Sequence, residues 1–293
     1  RRHGARTYFN HNLRLEASTE QNPERRIQLR TEVGRILASK LESFEEAIEA
    51  YRLVLEERSD DEESLDAVRA LGQEHEHLRG LAAEVLVPVL RQSGLHERLI
   101  DVLEMRLTIE VEPSTRAETL RAIAQVEESA LGNARHALKT LLRALAETPE
   151  ALDLHVEIER LAAQTGDWEA YVAALEERGG ETYDAEIARD LLVRAGRLAE
   201  QALSDGKRAI RAYVRATEQA GDQPELLEAL DRLYSASGEL EELQGVLERR
   251  LALEDADEEQ AELYYRLGRL QLEELKRPAE ALGDVLAAMG FQP

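Results

Sequence analysis

The sequence predicts an all-α protein, built as a right-handed α-solenoid of about seven stacked, antiparallel helix pairs. Three observations predict this fold. The composition is 43% apolar and 4% aromatic, and strong helix formers dominate it. No segment shows the sustained alternation of apolar and polar residues that marks a half-buried strand. A segment that begins with glycine recurs with a period of 72 residues, which is typical of a repeat protein.

The 72-residue period is defined by three segments of similar sequence. "GLHERLIDVLEMR" begins at Gly94, "GDWEAYVAALEER" at Gly166 and "GELEELQGVLERR" at Gly238. We expect each of these glycines at the turn between two paired helices, because glycine adopts turn conformations without a steric cost. Each helix pair has an apolar face that it cannot bury alone, and stacking the pairs buries that face.

A second set of positions interleaves with the first. Small residues recur thirteen positions apart in four places: Gly34 and Ala47, Ala124 and Ala137, Gly196 and Ala209, Gly268 and Ala281. Tyr51 and Tyr213 follow four residues after the second small residue of their pairs. Small residues on facing sides let two helices approach closely, and a large residue one turn further on fills the gap between them.

Turn-forming dipeptides divide the chain into helices. Proline at the first helical position is tolerated, so most of these dipeptides are predicted to be helix starts. Pro88 is the exception: it lies within an apolar helical run, where it is predicted to kink or shorten the helix. The dipeptides are Asn22-Pro23, Glu112-Pro113, Thr148-Pro149, Gly179-Gly180, Gln223-Pro224 and Arg277-Pro278.

The repeats predict a division of the chain into five segments. These are a partial preceding repeat over residues 1–22, double repeats over 23–110, 111–182 and 183–256, and a terminal half unit over 257–293. The first double repeat is longer, since Gly34 and Ala124 are 90 residues apart. We expect this excess of eighteen residues to form additional helix between about Leu78 and Gln92. Residues 1–19 are expected to be the second helix of a preceding repeat, and the missing initiator Met suggests a fragment of a longer array.

The pattern of small and aromatic residues resembles the tetratricopeptide repeat family over about residues 23 to 290. Gly196, Ala209, Tyr213 and Ala216 follow the family's order of small, small, aromatic and small positions. The chain departs from the family in two ways. The loop between the paired helices is one residue longer, and the copies at Gly94, Gly166 and Gly238 carry Leu99, Tyr171 and Leu243 where the family has a small residue. The resemblance implies a long array of the kind found in bacteria.

The resemblance also implies a binding groove lined by the first helix of each repeat. The residues expected to point into it are Arg35, Gln125, Arg160, Arg197, Arg232 and Arg269. An arginine row could bind the carboxylates of an acidic or C-terminal peptide, in which case some of its members should lack a carboxylate partner within the chain. The alternative is that each arginine pairs with a neighbouring Glu or Asp and only orients adjacent helices.

Several classes of function are disfavoured. A formal net charge of −23 argues against binding nucleic acid or anionic lipid, and no apolar run is long enough to span a bilayer. The best candidate for a metal site is "EHEH" at Glu74–His77, but residues two apart on a helix point in different directions, so we interpret it as a solvated turn. Phosphate-binding and HExxH motifs are absent. Trp168 is expected mainly to pack at a helix junction. We therefore predict no catalytic residues, no metal and no cofactor.

The predicted function is that of an acidic, cytoplasmic scaffold that binds another protein or peptide in its groove. A high ratio of arginine to lysine, 33 to 4, suggests a bacterial source. Two alternatives remain open: a regulatory segment of a larger enzyme such as a kinase or protease, and a polarity or motility adaptor that docks a small GTPase or secretion component. Self-association through the open ends of the array is a further possibility.

Overall fold

The fold is that of a computed structural model, which describes residues 2–290 of the chain and the side chains of residues 11–290. Every regular element in this range is helical, so the predicted all-α fold of stacked helix pairs is confirmed. The chain forms two compact units, Arg1–Thr148 and Pro149–Pro293. Within each unit every helix packs against the next one along the chain.

The helices of the first unit are α1 (Arg2–Thr19), α2 (Pro23–Ile36), α3 (Phe44–Glu57), α4 (Glu62–Glu74), α5 (Arg79–Gln92), α6 (His96–Leu107), α7 (Pro113–Ser129) and α8 (Ala134–Glu147). Those of the second unit are α9 (Leu152–Thr165), α10 (Trp168–Glu181), α11 (Ala185–Gln201), α12 (Gly206–Ala220), α13 (Pro224–Ser237), α14 (Leu240–Leu253), α15 (Asp257–Arg269) and α16 (Pro278–Ala288). Short π-helical segments, Leu37–Leu41 and Leu270–Glu274, extend α2 and α15.

The close approach predicted from the small residues is present in the structure. A Cβ atom built on Gly34 would lie 2.7 Å from Cζ of Tyr51, and one built on Gly196 would lie 2.7 Å from Cε1 of Tyr213. At Gly268 it would lie 2.8 Å from Cγ2 of Val285. Such distances exclude any side chain, so glycine at these sites lets the aromatic or branched residue of the second helix pack against the backbone of the first. The alanines predicted at the facing positions are buried: Ala47, Ala124, Ala137, Ala209 and Ala281.

The longer loop between paired helices has one conformation in all four copies. A residue with positive φ stands eight positions after the small residue of the first helix in each: Glu42, Gly132, Ser204 and Lys276. The next residue then donates its backbone N–H to a carbonyl six residues back, as in Asn133 to Glu127 at 2.8 Å and Asp205 to Ala199 at 2.9 Å. The additional residue therefore widens the last turn of the first helix without breaking its hydrogen bonding.

The interleaved turn glycines adopt the predicted role. Gly94, Gly166 and Gly238 have φ values of 69°, 74° and 74°, in the left-handed region that favours glycine. Each lies just after the end of one helix, and the next helix begins two residues after the glycine.

Three of the predicted helix boundaries differ in the structure. Gly179 and Gly180 lie inside α10, and Leu192 and Arg215 pack into the space that side chains at these two positions would occupy. Pro149 precedes α9, which begins only at Leu152. Pro88 does not shorten α5, which continues to Gln92. By contrast, Pro23, Pro113, Pro224 and Pro278 begin helices as predicted.

The eighteen-residue excess corresponds to one more helix. The first unit has five helices between residues 23 and 107, whereas residues 113–181 and 185–253 have four each. A helix is present at Arg79–Gln92, where additional helix is expected. Its neighbour α4 buries Ser64, Leu65 and Val68, and α5 buries Ala82, Ala83 and Leu86, each eighteen residues later. Both helices thus present the same face to the core.

Candidate functional site

The first helices of the second unit, α9, α11, α13 and α15, carry four members of the predicted arginine row. Ion pairs join these helices in sequence: Arg197 lies 3.7 Å from Glu159, and Arg232 lies 2.7 Å from Glu200. Side-chain exposures of 50% for Arg197, 61% for Arg232 and 62% for Arg269 leave these guanidinium groups accessible to solvent. These three side chains therefore lie on accessible surface of successive first helices, and adjacent helices are bridged by charge.

The expectation that some row arginines lack an internal carboxylate partner is wrong for four of them. Arg35 contacts Glu32 and Glu63, both at 2.5 Å, and Arg269 contacts Glu273 at 2.9 Å. Arg197 and Arg232 have the partners given above, and Arg160 also has an interaction partner. Gln125 is exposed on α7, and its backbone carbonyl accepts a hydrogen bond from Ser129. The physical reason is that each arginine is long enough to reach a carboxylate on its own helix or a neighbouring one, and such exposed pairs are weak.

A second pair of arginines, not singled out from the sequence, is held more firmly. Arg194 on α11 donates to Glu159 at 2.5 Å, and Arg266 on α15, 72 residues later, donates to Asp231 at 2.7 Å. Asp231 is buried and is also bound by Arg250. Burial alone would raise the pKa of Asp231, but hydrogen bonds from Arg266 and Arg250 hold that pKa below its ordinary value. These pairs connect helices and are structural; the signal for them was the shared 72-residue spacing.

A cavity of about 260 Å³ opens between α9 and α11 beside Arg197. Apolar side chains of both helices line it, together with His155 and Arg194. Glu150 and Asp190 also line it, and Asp190 accepts a hydrogen bond from Arg189 at 2.7 Å. The apolar lining residues are Leu152, Ile187, Leu191 and Val193.

His155 forms one wall of this cavity in a fixed orientation. Its Nε2 lies 2.8 Å from the carbonyl oxygen of Pro149, which can only accept a hydrogen bond, so Nε2 carries the proton. Nδ1 therefore accepts from the hydroxyl of Tyr171 at 2.7 Å. Burial lowers the pKa of His155 and raises that of Tyr171, so both groups are neutral near pH 7. The pair supports the cavity wall and contributes no charge to it.

Arg197 is the cation of this cavity best placed to meet a ligand. Arg194 is already bound to Glu159 at 2.5 Å, whereas Arg197 is 3.7 Å from the same carboxylate, which is too long for a hydrogen bond. Leu152 is 71% exposed, so an apolar surface adjoins the guanidinium. The arrangement can receive a carboxylate together with an aliphatic side chain.

The other candidate sites are structural. The "EHEH" segment leaves α4 at His75, which is extended, and continues as a 3₁₀ turn over Glu76–Leu78 with Glu76 and His77 exposed, as interpreted from the sequence. His75 itself stacks on Phe44 with ring centroids 4.1 Å apart. Among the described side chains, those of residues 11–290, no group of three or more His, Cys, Asp or Glu could hold a metal ion. No helix within residues 2–290 has the length and apolarity needed to span a bilayer. Trp168 begins α10 and is half-buried.

No protein-family profile and no curated protein sequence matches the chain. Solved structures that align with it include BtubC from P. vanneervenii, with 16% identity over 84% of this chain and 94% of that one, at a TM-score of 0.29. The yeast Sti1 TPR2AB domain in complex with pHSP90 aligns with 15% identity over 84% and 90%, also at 0.29. A tetratricopeptide repeat protein from Parabacteroides merdae aligns with 14% identity over 91% and 93%, at 0.26. At these TM-scores the likeness says nothing about function.

Proposed function

We propose that the chain is a non-catalytic scaffold that binds other proteins, and that the cavity between α9 and α11 receives a carboxylate-bearing peptide. The cavity carries this proposal because it places the weakly held Arg197 next to exposed apolar surface. Guanidinium groups bind carboxylates in fixed geometry, and an adjoining apolar pocket adds burial of a side chain. Arg232 and Arg269, exposed on the next two first helices, would extend the same surface along a longer acidic segment.

The test is binding of a fluorescein-labelled peptide that carries two glutamates and a free C-terminal leucine, measured by fluorescence anisotropy. Arg197→Ala should weaken binding roughly tenfold, since a hydrogen bond to a charged group contributes about 1.5–3 kcal/mol. Arg143→Ala is the matched control, because Arg143 is a similarly exposed ion-paired arginine on a second helix of the other unit. Binding should also weaken as salt rises, because exposed charges are screened.

Melting curves of the same variants separate binding from scaffolding. If Arg197→Ala lowers the melting temperature and leaves peptide affinity unchanged, the arginine only orients α9 and α11, and the proposed site is wrong. Equal affinity for the glutamate peptide and its glutamine counterpart with an amidated C-terminus would likewise contradict a carboxylate site.

A further inference from the structure

A groove of about 440 Å³ runs between α1 and α3 in the first unit, on the side formed by second helices. Its apolar lining comes from three helices: Ala17 of α1, Val33 of α2, and Ala50 and Leu53 of α3. Ala17, Val33 and Ala50 are buried and form its floor. Leu53 is half-buried, with part of its side chain facing the groove.

Three glutamates of α3 line the same groove, together with Arg14 of α1 and Arg30 of α2. Arg30 is ion-paired with Glu57 and donates to the carbonyl oxygen of Leu53 at 3.0 Å. Glu45, Glu46 and Glu49 have side-chain exposures of 64%, 58% and 55%. Arg14 lies 2.5 Å from Glu46, and Arg52 lies 2.5 Å from Glu49. Glu45 lies 3.7 Å from His77, which is charged only when protonated. The Arg14 and Arg52 pairs are solvent-exposed and weak, and Arg30 is held by Glu57, which lies outside the groove lining. The α3 edge of the groove therefore stays negative, and a cationic side chain could share it.

The equivalent space between α10 and α12 in the second unit is closed. Leu53 corresponds to Arg215 of α12, 162 residues later, in the register that relates Gly34 to Gly196. The guanidinium of Arg215 packs on Gly180 of α10 and donates to the carbonyl oxygen of Glu176 at 3.2 Å. Between α6 and α8, Arg143 occupies the same register and donates to Glu104 at 2.6 Å. The crossing arginine is thus present in α8 and α12, whereas α3 has Leu53 and α16 has Ala287 in this register. Between α1 and α3 the space that Arg143 and Arg215 cross elsewhere is an open groove.

We propose that this groove docks a basic amphipathic helix of another protein. The lining positions on α3 fall at Glu46, Glu49, Ala50 and Leu53, the three- and four-residue spacing at which a helix packs against another helix. Apolar residues spaced four apart on the docking helix would contact Ala50 and Leu53. Lysine or arginine beside them would lie against Glu45, Glu46 and Glu49, and this charge complementarity selects a basic partner.

The test uses a fluorescein-labelled helical peptide of about fifteen residues, with leucines at every fourth position and lysines flanking them. Leu53→Arg should reduce its affinity about tenfold, because the new side chain can cross the groove as Arg215 does in the second unit, and loss of one central anchor has roughly this effect. Val111→Arg is the matched control, since Val111 is 85% exposed in the same unit and lies away from the groove. The affinity of the Val111→Arg variant for the peptide should equal that of the unaltered chain.

A second variant keeps the proposal testable if Leu53→Arg does not fold. Glu45→Gln with Glu46→Gln should lower affinity for the lysine peptide and flatten its salt dependence. A lysine peptide that binds Leu53→Arg as tightly as the unaltered chain would overturn the proposal, as would tighter binding of a counterpart peptide with glutamate in place of lysine. Sedimentation showing a dimer that Leu53→Arg dissolves would also overturn it, because a second copy of the chain would then occupy the groove.

Discussion

The groove between α1 and α3 and the closed space between α10 and α12 have the same packing between their paired helices, but the charges on their surfaces are opposite. In both places a glycine of the first helix contacts a tyrosine of the second, Gly34 with Tyr51 and Gly196 with Tyr213. The outer face of the second helix is reversed in charge: Glu45, Glu46 and Glu49 in α3 correspond to Lys207, Arg208 and Arg211 in α12. Positions that set the distance between helices are therefore kept, whereas positions between second helices change freely.

The ion pair that bridges the second helices shows the same reversal. In the first unit Arg14 of α1 contacts Glu46 of α3, and in the second unit Glu176 of α10 contacts Arg208 of α12. Arg208 is only 12% exposed and is bound by Glu169 as well, whereas Arg14 and Glu46 are 43% and 58% exposed. One space is filled by arginine and the other is left open, which means that each helix pair can acquire its own binding surface without a change of fold.

The largest expected effect tests whether the glycine–tyrosine contacts of the two units contribute equally to stability. Gly34→Leu and Gly196→Leu should each destabilise the chain by about 3 kcal/mol, the upper part of the usual range for overpacking, because the new side chain meets a tyrosine ring. Urea unfolding followed by circular dichroism would measure this. Gly245→Leu is the control, since a Cβ there would meet no described atom within 4 Å and leucine favours the helix. A large effect in only one unit would show that the two glycine–tyrosine contacts are not equivalent.

The second prediction concerns the closed space. Arg208→Ala should lower the free energy of unfolding by about 1–2 kcal/mol, because it leaves Glu176, which is 23% exposed, without its bidentate partner. Arg14→Ala should cost less, about 0.2–1 kcal/mol, since both of its charges are exposed. The same urea titrations compare the two variants. Equal costs would mean that burial does not distinguish the two spaces.

The sequence predicts the packing of the helix pairs well and the ion pairs and grooves between neighbouring pairs poorly. Small residues thirteen apart and the turn glycines at Gly94, Gly166 and Gly238 act locally, so their spacing alone identified the helix pairs. The ion pairs of Arg208 reach Glu176 and Glu169, 32 and 39 residues away, and depend on how neighbouring helices are rotated. The same limit explains why the arginine row was expected to include free members. The one sequence signal for the α1–α3 groove is that Leu53 stands in the register of Arg143 and Arg215, and Ala287 shows that the absence of arginine there is not confined to α3.

The third prediction concerns reversal of the Arg14–Glu46 ion pair, so that α1 and α3 carry the charges that α10 and α12 carry at Glu176 and Arg208. Glu46→Arg alone places like charges together and should cost up to about 1 kcal/mol, and adding Arg14→Glu should restore most of this loss. A double-mutant cycle in urea would measure the coupling. The exchanged pair should also weaken binding of the lysine peptide, because it moves the carboxylate from α3 to α1. No recovery in the double variant would show that the reversed pair of the second unit depends on its burial.

The smallest expected effect compares two helix pairs within the second unit. His155 and Tyr171 form a buried hydrogen bond at 2.7 Å, and the residues 72 positions later are Leu227 and Leu243. Because burial lowers the pKa of His155 below 6.5 in the folded chain, the unfolded chain takes up the proton first as the pH falls. Stability from this histidine is thus fully present above about pH 6.5 and declines below it, until the folded form is protonated as well.

His155→Leu with Tyr171→Leu should fold, as the leucine pair does in the next repeat, and should lose this part of the pH dependence. Urea midpoints at about pH 7.5 and about pH 5.5 would measure the difference. Exposed carboxylates contribute equally to both proteins in this interval, so the unaltered chain should lose more stability than the double variant. If both lose the same amount, the histidine is not the titrating group and its neutral, buried state at the cavity wall must be reconsidered.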